Sequence, residues 1–510
     1  MRNEYVREEA KEVKVAHKVD VAVLGGGTAG AIAGIAAARS GAKTVIVERF
    51  GCLGGTMTTG RMASMGNRFY DIQQRQLLGG LPREVMERLV KIQGTQFASV
   101  EDTLKGKLGK PVTVPFQPEL MSIVLLEMAE EAGAKIMFQT HFSHLLGQAP
   151  RPQGFVVVNK SGPQAILANV MVDASGDADL AAAAGAPCEK LQTLWGLLMR
   201  LGNVKFDKVI DMVSKLKPWE PWPEYTQWLS KILKKEPEEL KADWYWNHTL
   251  DPVKFGHAPT KNYDDIAYSP EKLRWIIDRW EKEGVFYNIE FGIIRHLLRE
   301  AVDNGDLFLN KKIEGFGEIR LNWDGFAGGA WGPGVSLVNA CHAMSGFDGT
   351  DGNHVSRAEI EVRKGCFEIA NFLKKYVPGY ENSYIIDMGQ QTIPRHARMI
   401  QGLYEMKRED IVKERAFDDA VYLFGRLGMP GEPTGVPFRI LVPKNVDNML
   451  VAGKCASGAF HIRSEPSCMA MGQAAGTAAS LMVKEGTANH QLDILRLREC
   501  LRNDGVILSI

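Results

Sequence analysis

The strongest constraint lies near the start of the chain, where VDVAVLGGGTAGAIAG (19–34) passes from an apolar run through glycines into an alanine-rich segment. Residues 19–25 are short and apolar, residues 30–40 carry a helical pattern, and KTVIVE (43–48) is a second apolar run. Short apolar runs read as strands and the segment between them as a helix, which gives a β-α-β unit. The spacing Gly25-x-Gly27-x-x-Gly30 falls on the strand-to-helix turn. Without a Cβ the backbone can turn tightly there and approach a pyrophosphate, which would sit on the helix N-terminus at Thr28 and Ala29. Glu48 ends the second strand, 23 residues after Gly25, where a carboxylate can accept ribose hydroxyls. A glycine-rich turn with a solvated acid explains any one of these features. Strand, three glycines, helix, strand and acid in register predict a bound dinucleotide.

At 510 residues the chain has room for about two to four domains. Lys plus Arg (61) balances Asp plus Glu (61), so no overall field draws it to nucleic acid or an anionic membrane. Charges interleave through residues 1–18 and no run reaches about 18 apolar residues, so a soluble cytoplasmic protein is expected, with no nucleic acid and no membrane as partner. The 7 cysteines include no C-x-x-C, which argues against a disulfide framework or a structural metal site.

A helix is expected from P-F-Q-P-E (115–119) to about Glu131, then a strand beginning in KIMFQTHF and further strands at 154–159 and 167–173. All 10 tryptophans lie between Trp195 and Trp331, the mark of a separate insertion. The α/β pattern returns at Met449–Val451, with a helix from about Ser467 to Lys484. This gives three segments: 1–190, 191–440 and 441–510.

ERFGCLGGTMTTG (48–60), with Arg49, Gly54, Gly55 and Thr56, resembles the FAD-binding branch of dinucleotide folds. Related disulfide reductases carry C-x-x-x-x-C in this loop, whereas here Cys52 is followed at the second position by Met57. No histidine lies near Gly54-Gly55, so noncovalent FAD is expected. In 446–480 a strand reaches Gly453, and a helix rich in small residues follows, with Met471, Gly472 and Ala474 toward the cofactor and its N-terminus aimed at the flavin.

Together with 116–136, VDASGDADLAAAAGAP (172–187) and 347–364, these segments resemble the FAD-dependent oxidoreductases related to fumarate reductase and glutathione reductase flavin domains. The resemblance spans most of the chain. It implies an α/β fold: a Rossmann-like FAD-binding domain of the glutathione reductase type with a large inserted substrate (cap) domain. It further implies that Gly176 and Asp177 lie in a turn near the cofactor and that 441–485 folds back onto the first domain. Family members often read R-E-S-R where this chain has Arg395-His396-Ala397-Arg398, and often carry a His-Glu pair where only His461 closely precedes Arg463.

Flavin oxidation of a C–H bond needs a base for the accompanying proton and a cation or dipole near N1–C2=O. His461 is expected as proton shuttle, Arg463 as stabiliser of reduced flavin, and Arg395 with His396 as substrate contacts; Arg398 and His342 are further candidates, with salt bridging as the bland alternative for the arginines. Trp219, Trp222, Trp228, Trp244 and Trp246 would suit a sugar platform, a core or a homo-oligomer interface. The expected activity is hydride transfer between flavin N5 and a small-molecule substrate, a sugar or hydroxy acid, with an electron acceptor the sequence does not identify. The alternatives are a reductase of an unsaturated acid and a non-catalytic dinucleotide-binding scaffold.

Overall fold

The computed structural model describes residues 12–66, 69–71, 73–105, 113–191, 194–216, 227, 230–231, 236, 270–289, 293–321, 325–329, 331–343, 346–425 and 431–510. Strand β1 (Lys14–Leu24) leads through Gly25–Gly27 into helix α1 (Thr28–Arg39) and strand β2 (Thr44–Val47), the β-α-β unit expected from the sequence. Helix α2 (Pro118–Glu131) starts with proline at its first turn, where a missing N–H costs nothing. KIMFQTHF, expected to begin one strand, divides at Gln139 (φ 50°) into β3 (Lys135–Met137) and β4 (His141–Leu146). With β5 (Gly154–Asn159) and β6 (Gly162–Asp173) the hydrogen-bonded order is β3-β2-β1-β6-β5-β4. The β1, β2, β3 and β6 pairings are parallel, and β4-β5-β6 is an antiparallel meander.

The cap is a mainly antiparallel sheet. Strand β7 (Trp195–Gly202) pairs with β10 (Ser336–Ala343) on one side and with β11 (Tyr384–Met388) on the other. β8 (Phe286–Ile289) and β9 (Phe326–Gly328) extend it beyond β10, and the two-residue β12 (Ile393–Pro394) pairs with the start of β7. Helix α3 (Gly352–Tyr376) is capped by the Asp351 carboxylate, which accepts from the N–H groups of Asn353 and His354. It packs on β10 and β7 through Ala358, Val362, Cys366, Ile369 and Leu373, a spacing that keeps one helix face on the sheet. Trp219, Trp222, Trp228, Trp244 and Trp246 lie outside the described residues. Trp195 is a core residue of the cap.

The chain returns to the first domain earlier than the division at 440 implies. Met406, Ile411, Val421–Phe424 and Val436–Val442 belong to the core built around α1, and Ile400 packs with the β6 side of the same sheet. Strand β13 (Met449–Val451) then pairs in parallel with the end of β6, and helix α4 (Glu465–Glu485) is buried from Pro466 to Met482. A helix apolar on all sides belongs inside a domain. Among the described residues no helix is long and apolar enough to cross a membrane.

Helices α1 and α4 touch through small residues. A Cβ on Gly472 would lie 2.2 Å from the Ala29 carbonyl oxygen, and one on Gly476 would lie 2.1 Å from that of Ala33. The two glycines are four residues apart, as are the two alanines, so one turn of each helix faces one turn of the other. Cap and base are joined by a charge cluster: Arg61 reaches Glu119 (3.1 Å) and Asp387 (3.0 Å), and Arg200 bridges the same two carboxylates.

Candidate active site

A cavity of about 790 Å³ lies between the C-terminal ends of β1, β2 and β6, the N-termini of α1 and α4, and the edge of the cap sheet. Its size suits a dinucleotide-sized ligand. From the base it is lined by Gly25, Gly27, Thr28, Ala29, Glu48 and Arg49, and from the cap by Gly196, Leu198, Asn339 and Ile393.

The glycines divide by role. Gly25 has φ 94°, and a Cβ on Gly30 would lie 1.7 Å from the Gly25 carbonyl oxygen, so both are required by the protein's own turn. Gly27 is different: its φ of −68° suits any residue, and a Cβ there would meet nothing nearer than the Gly55 Cα at 3.9 Å. Its missing side chain therefore leaves room in the cavity rather than in the fold. Gly27 also caps α1 without a side-chain hydrogen bond, and the first turn of α1 holds no acidic residue. The free N–H groups and positive dipole end of the helix suit a phosphate.

Glu48 is only 5 % exposed, and its carboxylate accepts from the N–H of Gly26 (2.7 Å) and of Phe50 (2.9 Å). Burial pushes its pKa up and these N–H groups pull it back. Thr28 Oγ1 donates to the Gly54 carbonyl (3.1 Å), tying the two glycine-rich loops together so that Gly55 and Thr56 reach the wall. Thr140, His141 and Phe142 line the cavity as well. No motif marks them, since they merely join β3 to β4.

The turn after β6 is held by Asp173, which is fully buried. Its carboxylate accepts from the Ser175 N–H (3.0 Å), the Ser175 hydroxyl (2.7 Å) and the Ala181 N–H (2.8 Å). Gly176 and Asp177 are thereby carried to the cavity wall, as the resemblance implied. Asp177 pairs with Lys454 (2.5 Å), and Arg398 pairs with Asp179 and donates to the Asp177 carbonyl (2.9 Å). Arg398 lines the cavity as well as making this ion pair within the protein.

Arg463 contrasts with both cations. It is half-buried on the cavity wall, its Nε is buried, and among the described residues it has no hydrogen-bond acceptor and Arg463 no ion pair. Burial and the neighbouring Arg395 pull its pKa down to about 10, which leaves it charged at neutral pH. Arg395, Glu465 and Cys468 line the same wall, and Gly453 enters it from the end of β13. Burial pushes the Cys468 thiol up to about 12, so it is a protonated thiol at neutral pH.

Several expected site residues stand elsewhere. Met471, Gly472 and Ala474 do not line the cavity; all three are buried in α4, and Gly472 meets Ala29 of α1, where its small size serves helix packing. Gly30 and Gly54 shape the wall from behind without lining it. His396 is fully buried off the wall, with its ring 5.1 Å from that of Phe460. His461 closes the short turn Ala459–His461, and its side chain, like that of His342, lies outside the described ones. Glu465 and Lys454 escaped the sequence reading: a glutamate in a first helical turn reads as a dipole partner, and a lone lysine carries no motif.

The cavity's glycine cradle, the open α1 N-terminus and the orphaned Arg463 Nε together fit FAD. No curated protein sequence matches the chain. Among solved structures it is similar to a geranylgeranyl bacteriochlorophyll reductase-like protein from Thermoplasma acidophilum, at 12 % identity and TM-score 0.41, over 96 % of this chain and 84 % of that one. It is also similar to p-nitrophenol 4-monooxygenase from Pseudomonas putida, at 9 % identity and TM-score 0.39, over 96 % of this chain and 89 % of that one. The model of the family described as FAD dependent oxidoreductase matches residues 20–501, and the chain belongs to that family: it is an FAD-dependent oxidoreductase.

Proposed function

We propose that the protein transfers hydride between the N5 position of noncovalently held FAD and a small polar organic substrate, a sugar or hydroxy acid. The observation that carries this reading is Arg463, a half-buried cation on the cavity wall whose buried Nε has no acceptor among the described residues. Such a partly desolvated cation destabilises the fold, by about 1–3 kcal/mol, unless an anion meets it when the site is loaded. Bound FAD supplies the two-electron chemistry. The protein's own part is to hold the nucleotide and order the substrate. Gly25, Gly27, Thr28 and the α1 N-terminus would take the pyrophosphate, with Glu48 beside the ribose and Gly55, Thr56, Gly176, Asp177 and Gly453 bordering the rest. Arg463 would balance negative charge gained by the flavin, and Arg395 would orient the substrate.

The test is anaerobic: holoprotein is mixed with a panel of sugars and hydroxy acids while the flavin absorbance is followed. Bleaching by one class names the substrate. Bleaching by none, together with reoxidation of pre-reduced protein by an unsaturated acid, would reverse the direction of the reaction. Flavin that dithionite fails to reduce would contradict catalysis.

A further inference from the structure

We propose that Glu465 is the proton carrier of this cavity: its carboxyl takes or gives the substrate's O–H proton while Arg463 holds an anionic group beside it. The proposal rests on the reading that this cavity holds FAD and substrate.

The placement comes from the backbone. Glu465 is the first residue of α4, its side chain lines the cavity, and Pro466 fixes the helix behind it. The groups around it are few. Arg463 precedes it by two residues and Arg395 approaches from the loop after β12. Cys468 follows one turn later as a neutral thiol. Burial pushes the Glu465 pKa above the ordinary glutamate range, against the nearby backbone N–H groups and the two guanidiniums, which favour the ionised carboxylate. Such an acid sits nearer neutrality than a surface glutamate, as proton transfer at working pH requires.

The other acids and the thiol on this wall are less suited. Asp177 and Asp179 are engaged by Lys454 and Arg398, and the Cys468 thiol stays protonated. In the oxidative direction the substrate C–H bond breaks and its hydrogen leaves with the electron pair to FAD, the oxidant. The O–H proton passes to the Glu465 carboxylate, and the carbonyl is left. Charge is conserved, because the carboxylate's negative charge moves to the reduced cofactor.

The test uses holoprotein and acetate as an anion probe, with binding read from the perturbation of flavin absorbance at pH values above acetate's own titration. Protonated Glu465 leaves Arg463 to the anion, whereas ionised Glu465 competes for it. Wild-type affinity should therefore fall with rising pH, by up to about tenfold per unit. Glu465→Gln should hold the tight, low-pH affinity throughout, and Glu465→Asp should restore the pH dependence.

Acetate that never perturbs wild-type holoprotein overturns the proposal, as does an unchanged pH dependence in Glu465→Gln. So does its loss in His461→Ala instead. Each of these leaves the FAD reading intact, because the flavin is present in the assay. Failure of that reading would show separately, as a chain that retains no flavin.

Discussion

Along one stretch of the cavity wall Glu48 is already engaged by two backbone N–H groups, whereas along another Arg463 keeps a buried Nε without an acceptor among the described residues. The glycine-rich stretch is finished before any ligand arrives: its loops are bonded to each other and its vacancy is steric, at Gly27. On the charged stretch the Arg463 Nε has no acceptor among the described residues until a ligand supplies one. The contrast separates two tasks, since holding a nucleotide needs shape and N–H groups, while changing its charge needs a cation held in readiness.

The largest expected effect breaks the contrast within the glycines. Gly30→Val should cost at least about 3 kcal/mol of stability and leave little folded protein, because its Cβ falls inside a backbone carbonyl. Gly27→Val should leave the thermal midpoint of the apoprotein close to wild type yet reduce FAD affinity roughly tenfold or more, since the added methyls enter cavity space alone. Thermal unfolding alongside FAD titration checks both. Equal losses of fold in the two variants would erase the distinction.

Next in size is Arg463→Met. Removing a half-buried cation whose Nε has no acceptor among the described residues should stabilise the apoprotein by about 1–3 kcal/mol, measured by denaturant unfolding. A loss of stability would mean that Arg463 serves the fold.

The smallest effect concerns Glu465. Its folded pKa is raised above the ordinary value of 4.5, so the folded state holds the proton more tightly than the unfolded chain. Wild type should therefore lose stability relative to Glu465→Gln as pH rises from 4.5 through the raised value, with no further change above it. Unfolding curves of both apoproteins across that window give the difference, and parallel curves would remove the perturbation.

Much of this was legible in the sequence where local pattern and function coincide. Strand, glycines, helix and Glu48 lie within one β-α-β unit, and α4 and β13 appear at the positions expected. The misreadings follow from ambiguity in small residues. Gly472 would look the same whether a ligand or a helix approached, and it is Ala29 of α1 that does. The earlier return of the chain, near Arg398, was hidden because short strands in 420–437 carry no motif. The cap-side wall was illegible for a related reason: Gly196, Leu198, Asn339 and Ile393 meet the cavity only through pairing across β7, β10 and β12.

The most direct test of the charged wall is the midpoint potential of bound FAD in wild type and in Arg463→Met, measured at one pH. If Arg463 faces the flavin, its removal should lower the potential by roughly 30 mV or more, which is about 1.4 kcal/mol for two electrons. An unchanged potential would contradict the account and put the flavin ring elsewhere.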